Sequence, residues 1–87
     1  MRRIAILGST GSVGTNACRV AAALPDQIQV TGLAAGKNCD LLIQQARQFH
    51  TRTVVIQDET RKDELEQALP GCRVLTGPQG LIELVPL

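Results

Sequence analysis

Aromatic side chains are almost absent from the sequence: of 87 residues only Phe49 is aromatic, and there is no Trp or Tyr. A surface that stacks single-stranded nucleic acid needs several aromatic faces, so the sequence excludes that function. Excess charge is also missing, because nine Lys and Arg face eight Asp and Glu, for a net charge of +1. A generic polyanion binder carries a larger basic excess, and nucleic acid is therefore not an expected partner.

Long apolar runs and paired cysteines are missing too. No stretch approaches the roughly 20 apolar residues of a membrane helix, so no membrane association is expected. The apolar run behind the basic N-terminus stops at Leu7, which is too short for the core of a signal peptide. Cys18, Cys39 and Cys72 lie far apart without a Cys-x-x-Cys pair, which predicts free thiols in a reducing compartment. With no transit segment in evidence, we expect a bacterial cytoplasm.

Metal-ligating residues show no pattern of a metal site. The single histidine, His50, falls at the predicted end of a helix, where an imidazole commonly meets free carbonyls. One acidic cluster interleaves with Arg61 and Lys62, as on a solvated helix face. Its members are Asp58, Glu59, Asp63, Glu64 and Glu66. The sequence thus predicts neither a metal ligand nor a catalytic residue within the chain.

What is present is an alternation of short apolar runs with helical periodicity. The runs cover residues 4–7, 28–34, 53–56 and 72–75, and helices are predicted between them and over residues 79–85. Helices between successive strands force parallel pairing with right-handed crossovers. The predicted fold class is α/β: a Rossmann-like parallel sheet with helices on both faces, truncated after about four strands. Residues 1–87 would then be the N-terminal part of a Rossmann-like domain, with the later domains of a longer protein absent from this chain.

Three local features of these elements are also predicted. Thr60 is expected to cap the third helix. The apolar residues Val13, Ala17, Val20, Ala21 and Leu24 recur on one face of the first helix. In the second strand, one face is expected to hold Ile28, Val30, Gly32 and Ala34.

Three glycines follow the first predicted strand, in the segment Gly8-Ser9-Thr10-Gly11-Ser12-Val13-Gly14. A tight strand-to-helix turn needs a residue without Cβ, and glycine lets a phosphate approach backbone amides. The first helix would offer its N-terminal amides to a pyrophosphate, with the hydroxyls of Ser9, Thr10 and Ser12 as further donors. No Gly-Lys-Ser/Thr follows, which excludes a Walker phosphate loop. The context favours a dinucleotide site over a tight turn in an unrelated α/β domain.

The end of the second strand indicates which dinucleotide. An NAD-binding domain places an acidic residue there for the ribose 2′-hydroxyl, yet no acid lies between Gln27 and Cys39. Instead Gly36-Lys37-Asn38 follows. Lys37 meets a 2′-phosphate as a point charge and Asn38 adds hydrogen bonds, whereas an acid would repel that phosphate. The sequence therefore predicts NADP(H) rather than NAD(H).

Taken together, these motifs resemble the N-terminus of 1-deoxy-D-xylulose 5-phosphate reductoisomerases. The resemblance is carried by Gly8–Gly14 with the preceding Ile4–Leu7, by Ala35-Gly36-Lys37-Asn38, and by residues 76–81 with Glu83-Leu84. It implies a homodimeric, NADPH-dependent oxidoreductase and isomerase of the non-mevalonate route to isoprenoids, with a phosphosugar substrate. That enzyme converts 1-deoxy-D-xylulose 5-phosphate to 2-C-methyl-D-erythritol 4-phosphate.

The resemblance also implies the roles of particular residues. Thr10, Gly11, Ser12 and Val13 would contact the pyrophosphate side of NADPH, beside Gly8 and Gly14, and Gly36, Lys37 and Asn38 would surround the adenosine ribose phosphate. A divalent metal, Mg²⁺ or Mn²⁺, is implied with ligands beyond residue 87, so the chain alone is expected to be inactive. Two alternatives stay open on the sequence: another NADP-dependent reductase, such as a semialdehyde dehydrogenase, or a non-catalytic NADP(H)-sensing module.

Overall fold

A computed structural model describes residues 2–77 and residue 80 of the chain. Strands and helices alternate along it, beginning with β1 (Arg2–Leu7), α1 (Ser12–Ala23), β2 (Ile28–Ala35) and α2 (Cys39–Phe49). There follow β3 (Thr53–Ile56), a 3₁₀ turn (Glu59–Arg61), α3 (Lys62–Ala68) and β4 (Arg73–Thr76). The predicted α/β alternation is confirmed. The predicted helix over residues 79–85 lies outside the described residues, except for Gly80.

The four strands form one parallel sheet in the order β1-β2-β3-β4. Because each strand pairs with the next and right-handed crossovers are the rule, α1, α2 and α3 fall on the same face. There they bury one core with the sheet, centred on Leu33, Leu42, Val54 and Leu65. On the opposite face Gly80 approaches Val55 and Leu75, so both faces of the sheet are covered in part.

Strand β2 contains a register shift that the sequence pattern does not predict. Ile4 pairs with Val30 but Ala5 pairs with Gly32, so Thr31 is an extra residue in β2. The Thr31 hydroxyl donates a hydrogen bond of 3.1 Å to the carbonyl of Ile4 across the irregularity. As a result Val30 packs with the helices while Ala34 belongs to the cluster on the opposite face. The prediction that these two residues share a face is wrong, because the extra residue reverses the alternation.

Helix α1 packs on the sheet through small residues rather than through its larger ones. Gly14, Cys18 and Ala21 are its buried residues, whereas Val13, Val20 and Leu24 have 83%, 56% and 37% of their surface exposed. The apolar face that periodicity identifies is real. Most of it lies outside the α1–sheet contact.

Other predicted details have mixed outcomes. The prediction that Thr60 caps the third helix is wrong, because α3 begins after Arg61 and has no side-chain capping hydrogen bond. Asp58 instead caps the preceding 3₁₀ turn, and its Oδ1 accepts a hydrogen bond of 3.1 Å from the amide of Thr60. All three cysteines are free, and burial raises the pKa of each thiol. In the part of the chain that the structure describes, no helix is long and apolar enough to cross a membrane.

The exposed face of α1, together with the edge of β1 that pairs with no other described strand, predicts that the 87-residue chain self-associates in isolation. Val20→Glu adds a charge to this face, so we expect at least about a tenfold rise in the dissociation constant of the self-associated form. Sedimentation velocity over a concentration series measures it. Ala22→Glu is the matched control, since it adds the same charge to the same helix outside the face. A chain that sediments as a monomer at all concentrations would contradict the prediction.

Candidate cofactor-binding site

The carboxyl ends of the parallel strands bring both predicted motifs to one edge of the sheet. Backbone hydrogen bonds tie the loops there: Ser9 donates to the carbonyl of Ala34 at 2.8 Å, and Asp58 donates to that of Gly36 at 3.1 Å. Between the loops lies a groove of about 220 Å³. It is lined by Leu7, Gly8, Ala34, Ala35, Gly36 and Gln57. The glycine loop and the Gly36–Asn38 loop therefore border a common cavity, as a ligand spanning both would require.

The glycine loop has two positions that favour glycine, one because of its backbone conformation and one because of the space available. Gly8 has a φ of 66°, a left-handed conformation that side chains rarely adopt. A Cβ on Gly14 would overlap the carbonyl oxygen of Gly8 and lie 2.6 Å from the Cα of Ser9. Helix α1 thus crosses the loop with backbone against backbone, which sets its first turn against Gly8, a residue that lines the groove.

The first turn of α1 presents amides without an acceptor of their own. Gly11 is the N-cap residue and has no side chain to cap with, and the turn contains no acidic residue. The first amide of the helix with a bond is that of Thr15, which donates to the carbonyl of Gly11 at 2.8 Å. Among the described residues the amides of Ser12, Val13 and Gly14 therefore have no partner. Such a terminus combines free donors with the positive end of the helix dipole, and it favours an anion.

The other helix starts differ in this respect. The side chain of Asn38 accepts a hydrogen bond of 3.2 Å from the amide of Leu41 in α2, whose first turn also contains Asp40. Asp58 caps the 3₁₀ turn, and α3 has Asp63 and Glu64 in its first turn. Moreover, the first acidic residue of the whole chain is Asp26, so β1, the glycine loop and α1 contain none. Negative charge is thus kept away from the one helix start that the glycine loop precedes.

The structure contradicts the prediction that the Ser9 hydroxyl donates a hydrogen bond to the ligand. Its side chain is fully buried, and its hydroxyl has no hydrogen-bond partner. A buried hydroxyl cannot serve a ligand in the groove, so the expectation of a donor at Ser9 is wrong. Thr10 is half-buried and Ser12 is exposed, and these two hydroxyls stay available.

Gln45 is a residue that the sequence analysis missed. It lies on α2 and donates from Nε2 to the carbonyl oxygen of Ser9 at 2.8 Å, in the interior. The signal was there, because Gln45 falls on the same helix face as Leu42, Ala46 and Phe49. A polar side chain among inward-facing apolar ones indicates a buried hydrogen bond.

The second loop exposes Gly36, Lys37 and Asn38 to solvent. The carboxamide oxygen of Asn38 is engaged as the cap of α2, while its NH₂ group has no partner among the described residues. Lys37 has the carboxylate of Asp58 nearby: hydrogen bonds from Thr60 are the main reason that the pKa of Asp58 is lowered, and the positive charges of Arg61 and Lys37 add to it. The loop thus presents an amide donor and an ammonium group beside the groove.

Neighbouring ionisable residues do not form a second reactive centre. Burial, and next the charge of Glu64, raise the pKa of the Cys39 thiol, so it is not a thiolate nucleophile. Glu64 in turn is held by Arg61, with Nε and Oε1 3.0 Å apart. Residues 2–77 and 80 contain no group of three His, Cys, Asp or Glu side chains placed to hold a metal ion. His50 is an exposed residue that ends α2 in a left-handed conformation with φ 52°.

A larger cavity of about 360 Å³ lies away from this site, between the C-terminal ends of α1 and α2. Its lining includes Pro25, Ile28 and Phe49 and no charged side chain. An anionic ligand finds no counter-charge or helix N-terminus there. The groove at the carboxyl edge is the better candidate for a nucleotide.

Comparison with known proteins gives a consistent result. The family model of 1-deoxy-D-xylulose 5-phosphate reductoisomerase matches residues 4–87. The chain is 44% identical over 86 residues to the 1-deoxy-D-xylulose 5-phosphate reductoisomerase of Chloroherpeton thalassium, covering 97% of the chain and 22% of that relative. It is 45% identical over 84 residues to that of Gluconobacter oxydans, covering 94% and 21%. The chain thus spans about a fifth of the length of the curated relatives it matches.

Solved structures agree with this. The reductoisomerase of Zymomonas mobilis in complex with NADPH superimposes with a TM-score of 0.89 at 28% identity, over 95% of this chain and 22% of that one. A reductoisomerase in complex with NADPH, fosmidomycin and magnesium gives a TM-score of 0.90 at 26% identity, over 97% and 21%. The similarity covers nearly the whole chain, including both loops of the candidate site.

Two glycine substitutions test the loop geometry. Gly14→Ala places a methyl group in the backbone of Gly8 and Ser9, and we expect a loss of roughly 3 kcal/mol in the free energy of unfolding. In Gly11→Ala the new Cβ meets the carbonyl oxygen of Gly8 at an ordinary 3.5 Å, and the expected loss is below about 1 kcal/mol. Urea denaturation followed by circular dichroism measures both. Equal losses would show that α1 does not cross the loop as described.

Proposed function

The chain belongs to the 1-deoxy-D-xylulose 5-phosphate reductoisomerase family, and on that premise we propose that it is the N-terminal, NADPH-binding portion of such an enzyme. The complete enzyme would convert 1-deoxy-D-xylulose 5-phosphate to 2-C-methyl-D-erythritol 4-phosphate. The observation that carries the proposal is the uncapped, acid-free start of α1 beside the groove at the carboxyl ends of the strands. This is where an open parallel α/β sheet binds a dinucleotide.

NADPH fits the residues at both ends of the groove. On the pyrophosphate side, the amides of Ser12, Val13 and Gly14 and the Thr10 and Ser12 hydroxyls would donate hydrogen bonds. Gly8 and Gly11 would let the phosphates approach the backbone. Ala34 and Ala35 line the groove with small side chains, which leave room for the ligand between the loops. The structure of the Zymomonas mobilis relative in complex with NADPH supports this assignment.

On the adenosine side, we assign the 2′-phosphate to Gly36, Lys37 and Asn38. Lys37 would supply the positive charge and the free amide nitrogen of Asn38 a hydrogen bond. The segment from Gln27 to Cys39 contains no acidic residue that could take a ribose 2′-hydroxyl. The preference for NADPH over NADH thus depends chiefly on one ammonium group.

The reaction itself needs groups from elsewhere. Related structures contain magnesium, and a bound divalent cation, Mg²⁺ or Mn²⁺, would polarise the oxygens of the phosphosugar substrate. The residues that the structure describes hold no cluster suited to that metal. We therefore propose that metal ligands and catalytic groups belong to the rest of a longer enzyme, and that this chain contributes cofactor binding and orientation.

The proposal extends to the setting of the enzyme. We place it in a bacterial cytoplasm, in line with three free thiols and with its bacterial relatives. We further propose a homodimer of the complete protein that takes a phosphosugar and binds neither nucleic acid nor membrane. Of the three readings that the sequence left open, the family match favours the reductoisomerase over a semialdehyde dehydrogenase or an NADP(H) sensor.

Lys37→Ala tests the cofactor assignment in the complete protein. Loss of a charge-assisted contact should weaken NADPH binding about tenfold to a hundredfold, while NADH binding stays the same. Isothermal titration calorimetry with both nucleotides measures this. Lys62→Ala is the control, because it removes an exposed lysine of α3, and it should leave both affinities unchanged. If NADPH affinity survives in Lys37→Ala, the 2′-phosphate lies elsewhere.

An activity assay of the complete protein tests the reaction. With 1-deoxy-D-xylulose 5-phosphate and Mg²⁺, we expect oxidation of NADPH. The loss of absorbance at the nicotinamide band measures it. Chelation of the metal should abolish turnover without preventing NADPH binding, because the residues proposed to bind the cofactor include no metal ligand. Turnover that persists after chelation, or no turnover with this substrate, would contradict the proposal.

A further inference from the structure

The buried hydrogen bond from Gln45 to Ser9 has a consequence for the cofactor site. We propose that Gln45 is a positioning residue: by holding the Ser9 carbonyl inside the protein, it aims the amide of Thr10 into the groove toward the pyrophosphate. This inference rests on the proposed NADPH site. It adds a residue that does not itself touch the cofactor.

The argument starts from the two anchors of the Ser9 residue. Its amide donates to the carbonyl of Ala34 in β2 at 2.8 Å. Its carbonyl accepts from Gln45 Nε2 on α2, also at 2.8 Å. Ser9 is fully buried and Gln45 is only 5% exposed, so water cannot easily replace either bond. The loop is thus held from a strand on one side and from a helix on the other.

Peptide geometry then fixes the next amide. The Ser9–Thr10 peptide is planar and trans, so the N–H of Thr10 points opposite to the C=O of Ser9. Because the carbonyl is directed to Gln45 in the interior, the amide is directed away from it. That amide has no partner among the described residues, and it lies between Gly8 and the free amides of α1. Gln45 therefore adds one oriented donor to the anion site.

The hydrogen bonding of Gln45 and Ser9 supports a role for Gln45 in orienting the loop. Gln45 Oε1 and Ser9 Oγ are both buried without a hydrogen-bond partner. Unsatisfied buried polar atoms destabilise a fold. Of the carboxamide's two ends only Nε2 is paired, and its acceptor is the loop carbonyl. An apolar side chain would fill the same space without leaving a buried oxygen unpaired. The carboxamide at this position therefore indicates that the position of the loop depends on its hydrogen bond.

Gln45→Met tests the proposal in the complete protein, since it keeps the length of the side chain and removes the donor. We expect NADPH to bind about tenfold more weakly. Binding of 2′-AMP, which has the 2′-phosphate but no pyrophosphate, should be unchanged. Gln44→Met, on the exposed side of the same helix, is the matched control and should change neither. Calorimetry measures the first ligand and protein-observed NMR titration the second.

NMR of the ligand-free protein gives a readout that does not depend on binding. The amide resonance of Thr10 should shift in Gln45→Met and stay in place in Gln44→Met. If Gln45→Met fails to fold by circular dichroism, Gln45→Asn replaces it. That variant keeps the amide but is one methylene too short to reach Ser9, and the same selective loss is expected.

The outcomes separate this inference from the proposed function. If the unmodified protein does not bind NADPH, the proposed function fails. If it binds and the Gln45 variant binds equally well, Gln45 has no positioning role. If the variant loses NADPH and 2′-AMP to the same degree, the effect is a general loss of structure, and the inference is overturned as well.

Discussion

The contact of Gly14 with the backbone of Gly8 and Ser9 is the constraint on which the rest of the structure depends. It leaves no room for a side chain, so it fixes both the height and the rotation of α1 above the sheet. With that rotation, Cys18 and Ala21 face the core, and the larger Val13 and Val20 face outward. The same contact sets the first turn of the helix against Gly8, which lines the groove. Packing of α1 and the geometry of the candidate site are thus two results of one close approach.

The candidate site is built from backbone more than from charge. The net charge of the chain is +1, and Lys37 is the one lysine beside the groove. In the proposed site, anion recognition would rely on amides whose direction is set by neighbours: by the turn at Gly8, by the start of α1 and, through Ser9, by Gln45. Binding through oriented backbone amides does not require a charged side chain to lose its water. Because no acidic residue precedes Asp26, no carboxylate in that part of the sequence opposes the partial positive charge of these amides.

Much of the fold was predictable because strands and helices leave periodic patterns in the sequence. The runs at residues 53–56 and 28–34 coincide with β3 and with most of β2. What failed depended on contacts between distant residues. Periodicity located an apolar face on α1. It could not show which side of the helix would pack inward, because the contact of Gly14 with the glycine loop decides that. The extra residue at Thr31 is stabilised by a bond to Ile4, which no local pattern reports.

The site shows the same division. The positions of Gly8, Gly14 and Lys37 follow from local requirements of a strand-to-helix turn and of a strand end. The burial of Ser9 and the role of Gln45 are tertiary, because they depend on where α2 comes to lie over the glycine loop. A polar residue within an apolar helical face marked Gln45 as unusual, but only the fold identifies its acceptor.

The strand order repeats the order of the sequence, β1-β2-β3-β4. Each strand after β1 therefore finds a pairing partner already made when it leaves the ribosome, and β1 waits only for β2, the next strand of the chain. Contacts close in sequence favour rapid folding, and domains of growing chains fold from the N-terminal side. The glycine loop and both of its anchors, Ala34 and Gln45, are complete once α2 has been synthesised. The glycine loop is accordingly among the first parts of the polypeptide able to take its final shape.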